Sequence, residues 1–204
     1  ERVRAEKITM IPYGANPVLQ APVQPLAALG LEPRRFFTLI ARPEPENSVL
    51  ELVTAFSRKR RPVRLVVLGN FVPGNPFHDS VRAAANEDVV FPGAIYDKAT
   101  LEALRFHCLA YLHGHQVGGT NPSLVEALGA GNAVIAHDNL FNRWVASDGA
   151  LYFRSIDDIE RHVETLVADD GVRAALSAAS RARFESQLTW PRVLDEYERL
   201  LLAQ

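Results

Sequence analysis

The chain has 204 residues, 48% of them hydrophobic and 23% charged, and its 22 basic and 24 acidic side chains give a formal net charge of -2. This composition is that of a globular domain and excludes disordered, collagen-like and simple coiled-coil chains. The balanced charge leaves no basic excess for a nucleic-acid backbone, and the single cysteine, Cys108, excludes an internal disulfide and zinc sites with several cysteines.

Short apolar runs alternate with helical patterns along most of the chain, and none is long enough for a membrane-spanning helix. Strands are predicted, in chain order, at 7–12, 36–41, 64–68, 89–91, 109–112, 133–136 and 150–153. Helices are predicted near 49–56, 81–85 and 101–106, from 122, and at 156–166, 169–184 and after 190, with connectors at 21–25 and 70–77. This alternation predicts an α/β fold: a parallel sheet with helices on both faces, followed by C-terminal helices.

Ligands of such sheets bind beyond the carboxyl ends of the strands, so residues directly after the predicted strands are the candidates for a site. The segments that meet this condition are Arg42, 69–70, 93–96, 113–121 and 137–142. We expect them to lie along one edge of the sheet.

The segment 113–131 (HGHQVGGTNPSLVEALGAG) carries the strongest local signal. Gly118 and Gly119 favour a tight turn, Asn121 is a good helix N-cap, and a proline follows at the first helical position. The backbone N–H groups of Ser123 and Leu124 are expected to be free and to face the edge, where they would bind an anion such as a phosphate. The alternative is a glycine turn with an ordinary cap.

Two charged side chains could complete such a site. Glu126 is the only charged residue between Pro122 and Ala136, and it could accept hydrogen bonds from sugar hydroxyls; the alternative is a structural carboxylate bonded to backbone amides. Arg42 follows a predicted strand and could clamp a diphosphate, or it could be a surface arginine paired with a nearby glutamate.

Other residues along the edge have weaker signals. His113 and His115 could bind sugar hydroxyls, whereas a metal site would need a third ligand that the sequence nearby does not offer. Residues 91–94 (FPGA) could present an aromatic face and amides to a base, or could be a plain turn. The run 58–61 (RKRR) is interpreted as cations that complement the end of a helix rather than as a nucleic-acid patch.

Several of these segments are similar to those of a known family. Residues 10–16 (MIPYGAN), 41–47 (ARPEPEN), 66–70 and 184–197 resemble segments of the C-terminal, donor-binding domain of retaining GT-B glycosyltransferases. The resemblance covers nearly the whole chain. Residues 113–131 and 136–145 (AHDNLFNRWV) resemble a more specific pattern, that of a rhamnosyltransferase subgroup.

The chain departs from the wider family at three positions. The family carries two glutamates eight residues apart; the second aligns with Glu126, but Gly118 stands in place of the first. Asn47 replaces the usual lysine, which leaves Arg42 as the main cation for a diphosphate. Trp144 stands where a glutamate is expected.

The resemblance implies a Rossmann-like half of a GT-B fold that binds a nucleoside-diphosphate sugar and transfers the sugar with retention, without a metal or another cofactor. A dTDP- or UDP-linked donor is expected, with rhamnose on dTDP as the first choice. The implied donor-phosphate residues are Arg42, Gly119, Thr120, Asn121, Ser123 and Leu124. Glu126 would bind the ribose. The base would contact Phe91, Gly93, Ala94 and Ile95, and the donor sugar His113, His115 and Gly118.

Residues 1–204 are expected to form this one donor-binding domain, without the N-terminal domain that would bind a glycan or lipid-linked acceptor. The chain alone would then be inactive. The protein is expected in the cytoplasm or at the inner face of the membrane. Three alternatives stay open: a binding-only nucleotide-sugar domain, a GT-B-like nucleotide-sugar epimerase and, less favoured, a signalling receiver domain.

Overall fold

A computed structural model describes residues 8–202. Within this range six strands form one sheet: β1 (Phe36–Ile40), β2 (Arg64–Leu68), β3 (Val89–Gly93), β4 (Ala110–His113), β5 (Val134–His137) and β6 (Ala150–Phe153). Their order is β3-β2-β1-β4-β5-β6, and every neighbouring pair is parallel. This is the strand order of the Rossmann fold, and it confirms the predicted fold class.

Helices connect the strands and close the chain. Their bounds are α1 (Gln24–Ala28), α2 (Val49–Ser57), α3 (Pro76–Ala84), α4 (Lys98–His107), α5 (Pro122–Gly129), α6 (Leu140–Ala146), α7 (Ile156–Ala168), α8 (Asp170–Gln187) and α9 (Trp190–Leu202). Short 3-10 turns lie at Pro45–Asn47 and Ser147–Gly149.

The strands are apolar in continuous runs because both faces of the sheet are covered. On one face Phe37 and Val67 pack beneath α2, α3 and α7. On the other, Phe36 packs with α1 and α4, while Tyr111 and Val134 pack with α5, α6 and α8. Successive side chains of a strand point to opposite faces, so each strand contributes to both layers.

Five elements differ from the prediction. Helix α1 begins at Gln24, inside the connector predicted at 21–25, and was not predicted. Residues 8–12 lie in no strand, and residue 7 is outside the described range. Helix α3 begins at Pro76, earlier than predicted, because Asn75 caps it by accepting hydrogen bonds from the N–H groups of Phe77 and His78. Helix α6, capped by Asn139, was not predicted. In α9 only Val193 of the predicted apolar stripe is buried among the described residues.

Candidate functional site

A cleft of about 700 Å³ opens at the carboxyl edge of the sheet. It lies at the β1/β4 boundary, where the strand order changes direction and where Rossmann-like folds bind their ligands. Its walls come from the connections after β1, β2 and β3, from the end of the β4–α5 loop and from the first turns of α5. Four of the five segments predicted to share one edge therefore contribute to the cleft, whereas 137–142 does not line it.

Arg42 enters this cleft from the turn after β1. The side-chain amide of Asn47, which is buried, donates to the Arg42 carbonyl at 2.9 Å and closes the turn. Asn47 thus occupies the position of the family's lysine but supports the backbone instead of facing a ligand. The Arg42 side chain is exposed and forms no salt bridge within residues 8–202, so the alternative pairing with Glu44 or Glu46 is not observed.

The turn that carries Arg42 is fixed against the end of β4. Ser48 donates its hydroxyl to the Gly114 carbonyl at 2.8 Å, and the Gln116 N–H donates to the Glu46 carbonyl at 2.8 Å. The two backbones approach so closely that a Cβ on Gly114 would overlap the carbonyl oxygen of Asn47. Glycine is required at 114 for this contact, which sets where Arg42 lies relative to β4.

His113 and His115 stack at the end of β4, with ring centroids 4.4 Å apart and an interplanar angle of 10°. His115 lines the cleft, whereas His113 is fully buried behind it. Burial lowers the pKa of His113 well below its usual value, and burial together with the nearby Arg42 charge lowers the pKa of His115 to about 4. Both rings are therefore neutral near pH 7, and His115 can donate or accept a hydrogen bond.

The β4–α5 loop confirms the predicted helix start but not the predicted free amides. Asn121 caps α5, with Pro122 as its first residue. The Ser123 N–H donates to the Asn121 side chain at 3.0 Å and the Leu124 N–H to the Asn121 carbonyl at 3.1 Å, so the expectation that both are free is wrong. The cap and the tight first turn of α5 satisfy both N–H groups.

Other amides in this loop are available instead. Across the described range, the N–H groups of residues 118–121 have no hydrogen-bond partner. Gly118 has a φ of +115°, and nothing lies within 4 Å of a Cβ on Gly118 or Gly119. The Thr120 hydroxyl accepts from the Tyr13 N–H at 2.9 Å, which ties the loop to the N-terminal segment.

Glu126 faces the cleft and forms an ion pair with Arg105 of α4. The alternative predicted from sequence, a carboxylate held by backbone amides, is not what the structure contains. Arg105 was missed by sequence reasoning, although a signal existed: it lies four residues after Leu101 and next to Leu104, on the apolar face of α4, where a charge is unexpected.

The side of the cleft predicted for the base is formed by the connection after β3. Ala94, Ile95 and the exposed Tyr96 line it. Phe91 does not: its ring packs edge-on against Phe71, with centroids 5.0 Å apart. Strand residues of this sheet point into the layers rather than beyond the edge, which explains this displacement.

The predicted site residues therefore fall into three groups. The cleft is lined by Arg42, Ala94, Ile95, His115, Asn121, Ser123 and Glu126. The adjoining turns contain Gly93, Gly118, Gly119 and Thr120. Outside the lining are Phe91, His113 and Leu124. Trp144 packs against Arg183, whose Cζ lies 4.8 Å from the Trp144 ring centroid, and it is not part of the cleft lining.

Sequence comparison identifies the family of this fold. Residues 27–183, most of the chain, match the family "Glycosyl transferases group 1". The chain belongs to this glycosyltransferase family. No curated protein matches the glycosyltransferase domain in sequence.

Solved structures share the fold at low sequence identity. The Anabaena protein Alr3699/HepE in complex with UDP has a TM-score of 0.85 and 16% identity, over 98% of this chain and 59% of that one. Sucrose-phosphate synthase from Thermosynechococcus elongatus has a TM-score of 0.76 and 18% identity, over 95% and 53%. The glycosyltransferase domain thus spans little more than half the length of these proteins.

Two statements of absence hold for residues 8–202 of the glycosyltransferase domain. No helix in that range combines the length and apolar character needed to cross a bilayer. The same range contains no group of three or more His, Cys, Asp or Glu side chains arranged to hold a metal ion.

Proposed function

We propose that this chain is the donor-binding half of a retaining glycosyltransferase, and that its cleft binds a nucleoside-diphosphate sugar. One observation carries the proposal. Among the residues that the structure describes, the cleft and the loop beside it contain Arg42, which pairs with no carboxylate, the backbone amides at 118–121, which have no hydrogen-bond partner, and the carboxylate of Glu126. A diphosphate fits the first two, and ribose hydroxyls fit the third.

The chemistry of sugar transfer agrees with this arrangement. When the bond between the sugar and the diphosphate breaks, negative charge develops on the leaving phosphate. Arg42 and the loop amides would stabilise this charge where it forms. Neutral His115, which is next to Arg42, would hydrogen-bond a donor-sugar hydroxyl without competing for the phosphate.

The finer identity of the substrates is also part of the proposal. The resemblance of 113–131 and 136–145 to the rhamnosyltransferase subgroup supports rhamnose, carried on dTDP, and transfer with retention. The acceptor would be a glycan or a lipid-linked glycan, held by a domain beyond this chain. A UDP-linked donor is the second choice.

A binding-only domain is the main competing function, suggested by the departures at 47, 118 and 144. Two of these have structural roles: Asn47 closes the Arg42 turn, and Trp144 stacks with Arg183. Neither Asn47 nor Trp144 therefore favours a domain that has lost its catalytic function. An epimerase would use the same cleft, and the identity of the product separates it from a transferase.

The test is calorimetric titration of the chain with dTDP, UDP, GDP and ADP, and then with the matching sugar nucleotides. We expect selective binding of one diphosphate, dTDP above the others. Full-length protein given dTDP-rhamnose and a glycan acceptor should release dTDP and yield a glycoside of retained configuration. Absence of binding by all four diphosphates would overturn the proposed donor site.

A further inference from the structure

The Arg105–Glu126 ion pair is asymmetric. The Arg105 side chain is only 8% exposed, whereas that of Glu126 is 39% exposed. Both residues line the cleft and also an adjoining cavity of about 340 Å³, so the pair lies where the two meet. The carboxylate is partly exposed, and the buried guanidinium holds it.

The backbone of Arg105 is firmly anchored. Its carbonyl accepts a hydrogen bond from the side-chain amide of Asn132 at 2.7 Å and one from the thiol of Cys108 at 3.2 Å. Asn132 and Cys108 are both buried. These contacts fix the backbone at the end of α4, and burial of the side chain restricts the guanidinium.

The Arg105–Glu126 ion pair is not well explained by a contribution to stability alone. Within residues 8–202 the buried Nε of Arg105 has no hydrogen-bond partner, and Glu126 is the only carboxylate paired with this arginine. An unpaired buried N–H lowers stability, and apolar side chains often replace a buried ion pair without loss. A role in the cleft explains better why a charge is present there.

We propose that Arg105 is a positioning residue for nucleotide binding: it holds the Glu126 carboxylate in the orientation in which sugar hydroxyls of the nucleoside reach it. This inference rests on the proposed donor site and adds to it a residue that need not touch the ligand. A purely structural Arg105 would affect unfolding but not affinity.

The experiment compares four variants of the chain with wild type: Arg105→Met, Arg105→Lys, Glu126→Gln and the double variant Arg105→Met/Glu126→Gln. The Kd of dTDP and UDP is measured by calorimetry, and Tm is measured in parallel. Arg183→Met is the matched control, because Arg183 is also partly buried and donates to the Trp144 and Val145 carbonyls, outside the cleft.

We expect Arg105→Met to weaken binding of the preferred diphosphate about tenfold, and Arg105→Lys to recover part of the loss. The double variant should bind no more weakly than Glu126→Gln, because Arg105 acts through Glu126. Its Tm should exceed that of Glu126→Gln, since it no longer buries a charge that lacks its carboxylate partner. Arg183→Met should keep the wild-type Kd.

Three results would overturn the inference. An unchanged Kd in Arg105→Met, with wild type binding normally, would make Arg105 structural and leave the donor site intact. Additive losses in the double variant would mean that Arg105 contacts the ligand itself. Failure of wild type to bind any diphosphate would remove the proposed function, and this role of Arg105 with it.

Discussion

The cations at the two ends of the sheet differ in whether they are paired with carboxylates. At the amino end, the four cations 58–61 each pair with carboxylates from α7 or from the turn before β3; for example, Lys59 lies 2.7 Å from Glu160 and Arg61 lies 2.6 Å from Glu164. At the carboxyl end, Arg42 pairs with no carboxylate of the described chain. The cluster of positive charge visible in the sequence is thus paired with carboxylates of the same domain, whereas Arg42 at the cleft has no such partner among the described residues.

The largest expected effect is a loss of stability caused by a substitution at the carboxyl end of the sheet. Gly114→Ala places a methyl group against the Asn47 carbonyl and forces apart the turn that carries Arg42. We expect a loss of about 3 kcal/mol or more in the free energy of unfolding, measured in urea. Gly119→Ala, in the same loop with open space around it, is the matched control and should stay within about 0.5 kcal/mol of wild type. Equal losses would mean that the close approach at 114 is not needed.

Two arginine variants test whether the cations at the two ends have different roles, one in stability and one in diphosphate binding. Arg61→Ala removes a buried, paired cation and should cost about 1–3 kcal/mol of stability, with the affinity for diphosphates unchanged. Arg42→Ala should leave stability within about 0.5 kcal/mol but weaken diphosphates at least about tenfold, and nucleosides much less.

The matched control for Arg42→Ala is Arg35→Ala, an exposed arginine directly before β1, at the other end of the strand. Urea unfolding and calorimetry measure the two quantities. Equal weakening of nucleosides and diphosphates by Arg42→Ala would remove this residue from the phosphate site.

The smallest expected effect is a pH dependence of stability caused by the two histidines at the carboxyl end of the sheet. His113 and His115 have folded-state pKa values below the unfolded value of 6.5, with that of His115 at about 4. As the pH falls below 6.5, the unfolded chain binds protons at these rings before the folded chain does, so stability declines. Urea unfolding between pH 7 and pH 5 should show a shallower decline for His115→Gln than for wild type. Identical slopes would contradict the depressed pKa.

Local chemistry determined which parts of the fold the sequence could predict. The strands 64–68 and 150–153 match the structure to the residue, and the start of α5 matches because its Asn–Pro cap is a local signal. Residues 8–12 have a strand-like pattern but no sheet partner, and a strand needs one. Helix α6 was missed because its exposed Leu140 and Phe141 break the amphipathic pattern.

The site was predictable where it depends on strand ends, and not where it depends on contacts between distant residues. The position of Arg42, His115 and Glu126 at one cleft follows from the parallel sheet. The partner of Glu126 is 21 residues away, and no spacing rule joins them. The Ser123 and Leu124 amides were wrongly expected to be free because the Asn121 cap satisfies them itself.

The N-terminal segment has a mechanical consequence. Ala15 forms a parallel bridge with Thr189, and its N–H donates to the Leu188 carbonyl at 2.9 Å, so this segment lies beside the α8–α9 connection. This bridge lies close in sequence to the Tyr13–Thr120 hydrogen bond, so the same segment contacts both the start of α9 and the β4–α5 loop. A displacement of the segment around Tyr13 would therefore act on the β4–α5 loop through this hydrogen bond.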